Sequence, residues 1–189
     1  PHYALANLGV NLGYTLLATL GFMPAREGFE KGKHYLEKAI SLDESLPECQ
    51  LQLSWISFLE KWDFKAAYRH LQKAGEARTF VDYYQSMAAT LAAEGKFKAA
   101  HTYINTALEL DPFSEINYHL KGFIYYGQEK YDKAILQFDK SIEMKPDSQV
   151  SILYRGQCLI LLGRTKEALE YFENLTNHQD PLTNAGGIA

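Results

Sequence analysis

The chain has 189 residues, 47% hydrophobic and 22% charged, a composition that excludes disorder and collagen-like structure and predicts a folded protein with a sizeable core. Its 19 Lys+Arg are outnumbered by 23 Asp+Glu, giving a formal net charge of -4, and no basic run stands out, so direct nucleic-acid binding is disfavoured. Two distant cysteines, Cys49 and Cys158, offer neither a zinc spacing nor a disulfide framework, which predicts a reduced, cytoplasmic setting. No apolar stretch approaches the roughly 20 residues of a membrane helix; Tyr14 to Met23 is too short and holds Gly21. The opening Pro1-His2 carries no Met and no signal-like segment, which reads as a piece of a longer protein.

In chain order, the first predicted element is a helix from about Tyr3 to Leu20, followed by an insertion at Gly21-Phe22-Met23-Pro24. Phe29, Gly32, Leu36 and Ala39 then open a pattern that recurs down the chain. Phe64, Phe97, Tyr131 and Thr165 stand at intervals of 33, 34 and 34 residues. The same intervals separate Ala67, Ala100, Ala134 and Ala168, then Leu71, Ile104, Phe138 and Phe172, then Ala74, Ala107, Ser141 and Leu175. Upstream, Phe58, Leu91, Tyr125 and Leu159 keep that phase. Within each repeat the downstream columns share one helical stripe, and stripes such as Leu51, Trp55, Phe58 and Tyr118, Gly122, Tyr125 predict a helix before it. Gly95 and Gly163 act as helix stops, and Asp111-Pro112 and Lys145-Pro146 close repeats. The expected units are about 2–46, 47–80, 81–114, 115–148 and 149–182. Asp180-Pro181 reads as an N-cap with proline at the first helical position, so that 181–189 starts a truncated further unit.

These columns resemble the tetratricopeptide repeat (TPR), a 34-residue helix–turn–helix. The segment NYHLKGFIYYGQEKYDKAILQFDKSIEMKPDS is nearest, with Gly122, Tyr125, Tyr131, Ala134, Phe138 and Pro146. Thr165, Gly32 and Glu44 depart from the pattern. The resemblance implies an all-α fold, a right-handed α-α superhelix of about five helix pairs in a single solenoid. The succession FMPAREGFEK, SLDESLPE, EKWDFKAAY, ALELDPFSE is similar to the TPR region found C-terminal to helix-turn-helix or nucleotide-cyclase domains in bacterial signalling proteins.

By family register, the first helices present their inward positions in a concave groove: Gln52, Ile56, Leu59, Gln85, Ala89, Ala92, His119, Phe123, Tyr126, Leu153, Gln157 and Ile160. The set is apolar and amide-rich and lacks the Lys and Asn of a carboxylate clamp, so the implied ligand is an amphipathic helix or apolar peptide segment, another domain of the same protein included. Lys121 and Arg155 share one column that could meet an acidic partner. Trp62 is expected to pack at an inter-helix turn. The alternatives are a self-association scaffold, which includes a homodimer, and a helical-repeat RNA binder, which would need a basic concave face. The six scattered histidines form no ligand spacing, and no GxSxG elbow or GxxxxGK[ST] loop occurs. The chain is therefore expected to have no catalytic residue, metal or cofactor.

Overall fold

The structure, a computed structural model, describes residues 3–19, 21–59, 62–77 and 80–179, excepting the side chains of 19, 59, 77 and 176–179. The expected N-cap at Asp180 and the truncated unit 181–189 lie outside the described residues. Ten helices and no strand occur among the described residues: α1 Ala4–Thr19, α2 Ala25–Leu42, α3 Pro47–Leu59, α4 Phe64–Ala77, α5 Val81–Ala93, α6 Phe97–Leu110, α7 Glu115–Gly127, α8 Tyr131–Met144, α9 Gln149–Leu161 and α10 Thr165–Gln179. The chain divides into two compact halves, one through Thr90 and one from Leu91.

The alanine column makes the seam of each helix pair. Ala67, Ala100 and Ala134 are fully buried and Ala168 nearly so, as are Leu71, Ile104 and Phe138 one turn on. A methyl at these positions lets two helices approach closely, while the larger residue four positions later fills the space beneath. In the first half Leu8, Leu36, Ala39 and Cys49 form one cluster, and Leu51, Leu71 and Ala74 form another against Tyr68, Phe80, Tyr83 and Met87. In the second half Ala134, Ile135, Phe138, Cys158, Leu159 and Ala168 pack with Tyr125, Tyr126, Tyr131, Tyr154 and Leu162.

The turns inside four of the pairs follow one rule. Gly95 and Gly163 adopt φ of 80° and 75°, and the next residue donates its N–H five residues back, Lys96 to Leu91 O and Arg164 to Leu159 O. This is the Schellman closure, which wants a left-handed residue at its corner. Glu129 fills that corner with φ 60°, Lys130 N–H reaching Tyr125 O; Trp62 also has a positive φ, 52°, but there Asp63 N–H reaches six residues back to Ser57 O, and the left-handed conformation costs a side-chain-bearing residue about 1–2 kcal/mol. Glu129→Gly is therefore expected to stabilise by about 0.5–1 kcal/mol after the entropy of glycine is deducted. Gly95→Ala should destabilise by about 1 kcal/mol. Thermal melts of both variants check this; equal melting temperatures would refute the strain.

The first pair departs from the others. Phe64, Phe97, Tyr131 and Thr165 each begin a helix, whereas α2 starts at Ala25 and Phe29 is its fifth residue. The insertion is partly an added helical turn, after a Gly21 corner closed by Phe22 N–H to Leu17 O. Within this turn Gly28 lies against Ala18, so the first helix is met by glycine and Phe29 remains 48% exposed.

Asn117, fully buried, donates from Nδ2 to the carbonyl oxygens of Ala107 and Asp111 at 3.0 and 2.9 Å. It thereby caps the Asp111 carbonyl beyond the end of α6 and adds a second bond to Ala107 O, which already accepts the Asp111 N–H.

Candidate functional site

In the first half, α1, α2 and α3 enclose a cavity of 330 Å³ lined by Asn11, Thr15, Phe29, Lys33, Trp55 and Ile56, together with Glu30, Leu36 and Gln52. Two of the residues assigned to the groove from sequence, Gln52 and Ile56, thus meet here. They fall on one side of α3 because 52 and 56 are one helical turn apart. The Leu59 side chain lies outside the described residues. Gln85 is half-buried on α5, and Ala89 is buried there and offers a ligand no projecting group. The register did not supply the remaining lining residues, which come from α1 (Asn11, Thr15), from α2 (Phe29, Glu30, Lys33, Leu36) and from Trp55 of α3.

In the second half, Phe123 and Tyr126 lie on one face of α7, and Tyr154 of α9 packs edge-on against both, with ring centroids 5.6 and 5.2 Å away. On α9 the positions Leu153, Gln157 and Ile160 follow one stripe; Leu153 is 51% and Ile160 50% exposed, and Gln157 is half-buried. Val150 extends the stripe by a turn and is also exposed. Phe123 and Tyr126 thus pack on Tyr154, and Leu153, Gln157 and Ile160 form an uncharged stripe of their own on α9. Tyr154, which sequence phase did not single out, joins α9 to the α7 aromatics, and burial raises the pKa of its hydroxyl.

His119 of α7 lies against the same Tyr154 ring. Its Nδ1 shares a hydrogen bond with Ser151 Oγ at 2.9 Å, and its ring packs against Phe138 and Tyr154. Burial pushes its pKa down to about 4. Ser151 itself is fully buried and also bonded to Ser141 Oγ at 2.8 Å, so the half-buried His119 is anchored to a sealed hydroxyl pair. Lys121 and Arg155 are engaged internally: Lys121 donates to Asn105 Oδ1 at 2.9 Å, and Arg155 pairs with Asp139 and stacks over Tyr171. Burial raises the Cys49 thiol and pushes the Cys158 thiol up to about 11, which keeps both protonated and poor nucleophiles. Among the described residues no three His, Cys, Asp or Glu side chains are grouped to hold a metal ion. No described helix is long and apolar enough to cross a membrane.

Helix pairs of this length with buried alanine seams define a helical-repeat protein, a class built by stacking and used in general for protein–protein interaction. Residues 81–114 and 117–148 match the tetratricopeptide repeat family model, and these segments are tetratricopeptide repeats. Human tetratricopeptide repeat protein 13 is 27% identical over 92 residues, 49% of this chain and 11% of that protein. The chain thus spans about a tenth of the relative's length. A structure of a human IFIT1 dimer with PPP-AAAA has a TM-score of 0.78 at 17% identity, covering 98% of this chain and 44% of that one. A structure of YrrB, described as a TPR protein with an unusual peptide-binding site, has a TM-score of 0.55 at 21% identity, covering 90% of this chain and 87% of that one.

Proposed function

We propose that this chain is an interaction module that holds an amphipathic helix or apolar peptide segment of a protein partner against its uncharged helix faces. The observation that carries this reading is in the second half, where Val150, Leu153 and Ile160 leave a half-exposed apolar stripe along α9, the helix whose Tyr154 packs on Phe123 and Tyr126. Apolar side chains ordered on a rigid helix surface bind without an ordering cost of their own, and an amphipathic segment covers such a stripe at helical spacing. The description of YrrB as peptide-binding supports the same reading by likeness of fold.

Selection from a library of random 12-residue peptides tests it. Enriched peptides are expected to be amphipathic, and the double variant Leu153→Glu/Ile160→Glu, with unchanged helical content by circular dichroism, should bind them at least tenfold more weakly. Peptides that bind the variant as well as the parent, or no enrichment, would overturn it.

A place beside a regulatory domain of a bacterial signalling protein, inside the cell, is the narrower proposal. The variant order from FMPAREGFEK to ALELDPFSE supports it, as do two unpaired buried cysteines. The flanking reading frame decides it, since a helix-turn-helix or cyclase domain there is the expected result and any other neighbour removes the proposal.

A further inference from the structure

The amide side chains of α1 point inward and its outward face is apolar. Asn7 and Asn11 are buried, whereas Leu5, Leu12, Leu16 and Leu17 are exposed. No Asp, Glu, Lys or Arg occurs in Ala4–Thr19, although a surface helix ordinarily keeps its charges on the side turned to water. A contiguous apolar face of this kind on a folded chain marks a contact with another molecule.

Two exposed glycines, Gly9 and Gly13, run down the middle of that face. A glycine inside a helix destabilises it relative to alanine, and the other described helical glycines each have a packing reason. A Cβ on Gly28, Gly32, Gly75, Gly122, Gly127 or Gly156 would meet a neighbouring side chain at 2.0 to 3.2 Å. Around Gly9 and Gly13 nothing lies within 4 Å, so no contact among the described residues accounts for them. A second helix laid across them would, because two backbones approach closely where side chains are missing, and the flanking ridges then interlock.

The order of the residues selects the occupant. Counted outward from Asn11 in both directions, Gly9 matches Gly13, Leu5 matches Leu17 and Val10 matches Leu12. A second copy laid antiparallel about a two-fold axis at that level sets each residue against its mirror position. Gly9 then crosses Gly13, Leu5 meets Leu17, and the large Leu16 meets the small Ala6. Neither helix brings a charge that would have to be stripped of water. The outward surface from Leu5 to Leu17 gives about 500 Å² per copy and about 1,000 Å² for a pair, the lower limit of a specific interface and the size of a weak one.

We propose that α1 is a homodimer interface, through which two copies of this chain pack antiparallel across their Gly9 and Gly13 faces with micromolar affinity. The interface is independent of the peptide-binding stripe on α9.

Sedimentation equilibrium from about 5 to about 500 μM is expected to show a monomer–dimer equilibrium with a Kd of about 10–200 μM. Leu16→Glu, at an exposed position, should keep the helical content and weaken the dimer at least about tenfold. Gly9→Ala/Gly13→Ala should raise the melting temperature of the dilute protein and yet weaken the dimer at least about tenfold, a pairing that glycines serving only their own protomer would not produce. The register is read separately. Leu5→Cys protein mixed with Leu17→Cys protein should form an intermolecular disulfide with diamide as oxidant, while either protein alone should not; Cys49 and Cys158 are buried.

A monomer throughout that range, a Leu16→Glu or Gly9→Ala/Gly13→Ala protein that pairs as the parent does, or Leu5→Cys protein that links to itself as fast as to the Leu17→Cys protein would each overturn the antiparallel pair. A monomer whose library peptides are lost on Leu16→Glu would assign the face to a peptide partner instead. Loss of peptide binding on Leu153→Glu/Ile160→Glu with the dimer unchanged is the expected separation of the two surfaces.

Discussion

Phe138→Ala is expected to destabilise the second half by about 3–5 kcal/mol, the range for truncating a fully buried aromatic ring. The ring is stacked on Tyr154 at 5.8 Å and touches His119 at 5.6 Å, so α7 and α9 lose a common partner at once. Its edge also meets α7 at Gly122, where a Cβ would lie 2.6 Å from the ring. That closeness makes the pair testable as a unit. Gly122→Ala alone should cost about 1–3 kcal/mol by overpacking, yet cost almost nothing in the Phe138→Ala background, where the methyl finds empty space. Urea unfolding of the four proteins gives the coupling, expected at about 1–3 kcal/mol. Leu136→Ala on the exposed side of the same helix serves as the control and should stay within about 0.5 kcal/mol. Additive effects of the two core substitutions would show that ring and glycine do not share a seam.

Those contacts explain why so much of the fold is legible in the sequence. A seam of alanine over a larger apolar residue must repeat wherever one helix pair repeats, so Ala67, Ala100, Ala134 and Ala168 announce both the period and the buried side. The corner glycines are equally visible, since a left-handed turn is cheapest without a Cβ. Trp62 shows the limit. Its identity suggested a packed residue, and it does touch Phe58 and Phe64, but its corner position directs it outward and leaves it 64% exposed. Phe29 stands in the right column and the wrong place, because one extra turn at the start of α2 changes what meets α1. Polar burial is still less legible. Gln50, Tyr83, Asn117 and Ser151 occupy one column with four different side chains, so no period marks Asn117 as the residue that closes α6. The groove assignment suffers from the same loss. Among the register positions, Gln52 and Ile56 line the cavity and Phe123 packs on Tyr154, while His119 bonds to the buried Ser151, a difference that no period marks.

The inward turn of His119 predicts how the protein responds to acid. No charged group supports its ionised form: its neighbours are Ser151, Phe138 and Tyr154, and burial alone pushes its pKa from 6.5 to about 4. In the unfolded chain the imidazole titrates near 6.5, so between these values the unfolded state binds the extra proton. Stability is therefore complete above pH 6.5 and declines as pH falls toward 4, by about 3 kcal/mol for this residue. Burial also lowers the pKa of His101, which adds a slope of the same sign. Melting temperatures measured from pH 8 to pH 4 should fall for the parent protein, and His119→Gln, which keeps an amide able to reach Ser151, should flatten much of that fall. The ring signals of His119 in a proton NMR titration should remain those of the neutral form at pH 5.5, where an exposed histidine is mostly charged. Midpoint titration near 6.5, or parallel melting profiles for parent and variant, would place His119 in solvent and return it to the groove where its sequence register first put it.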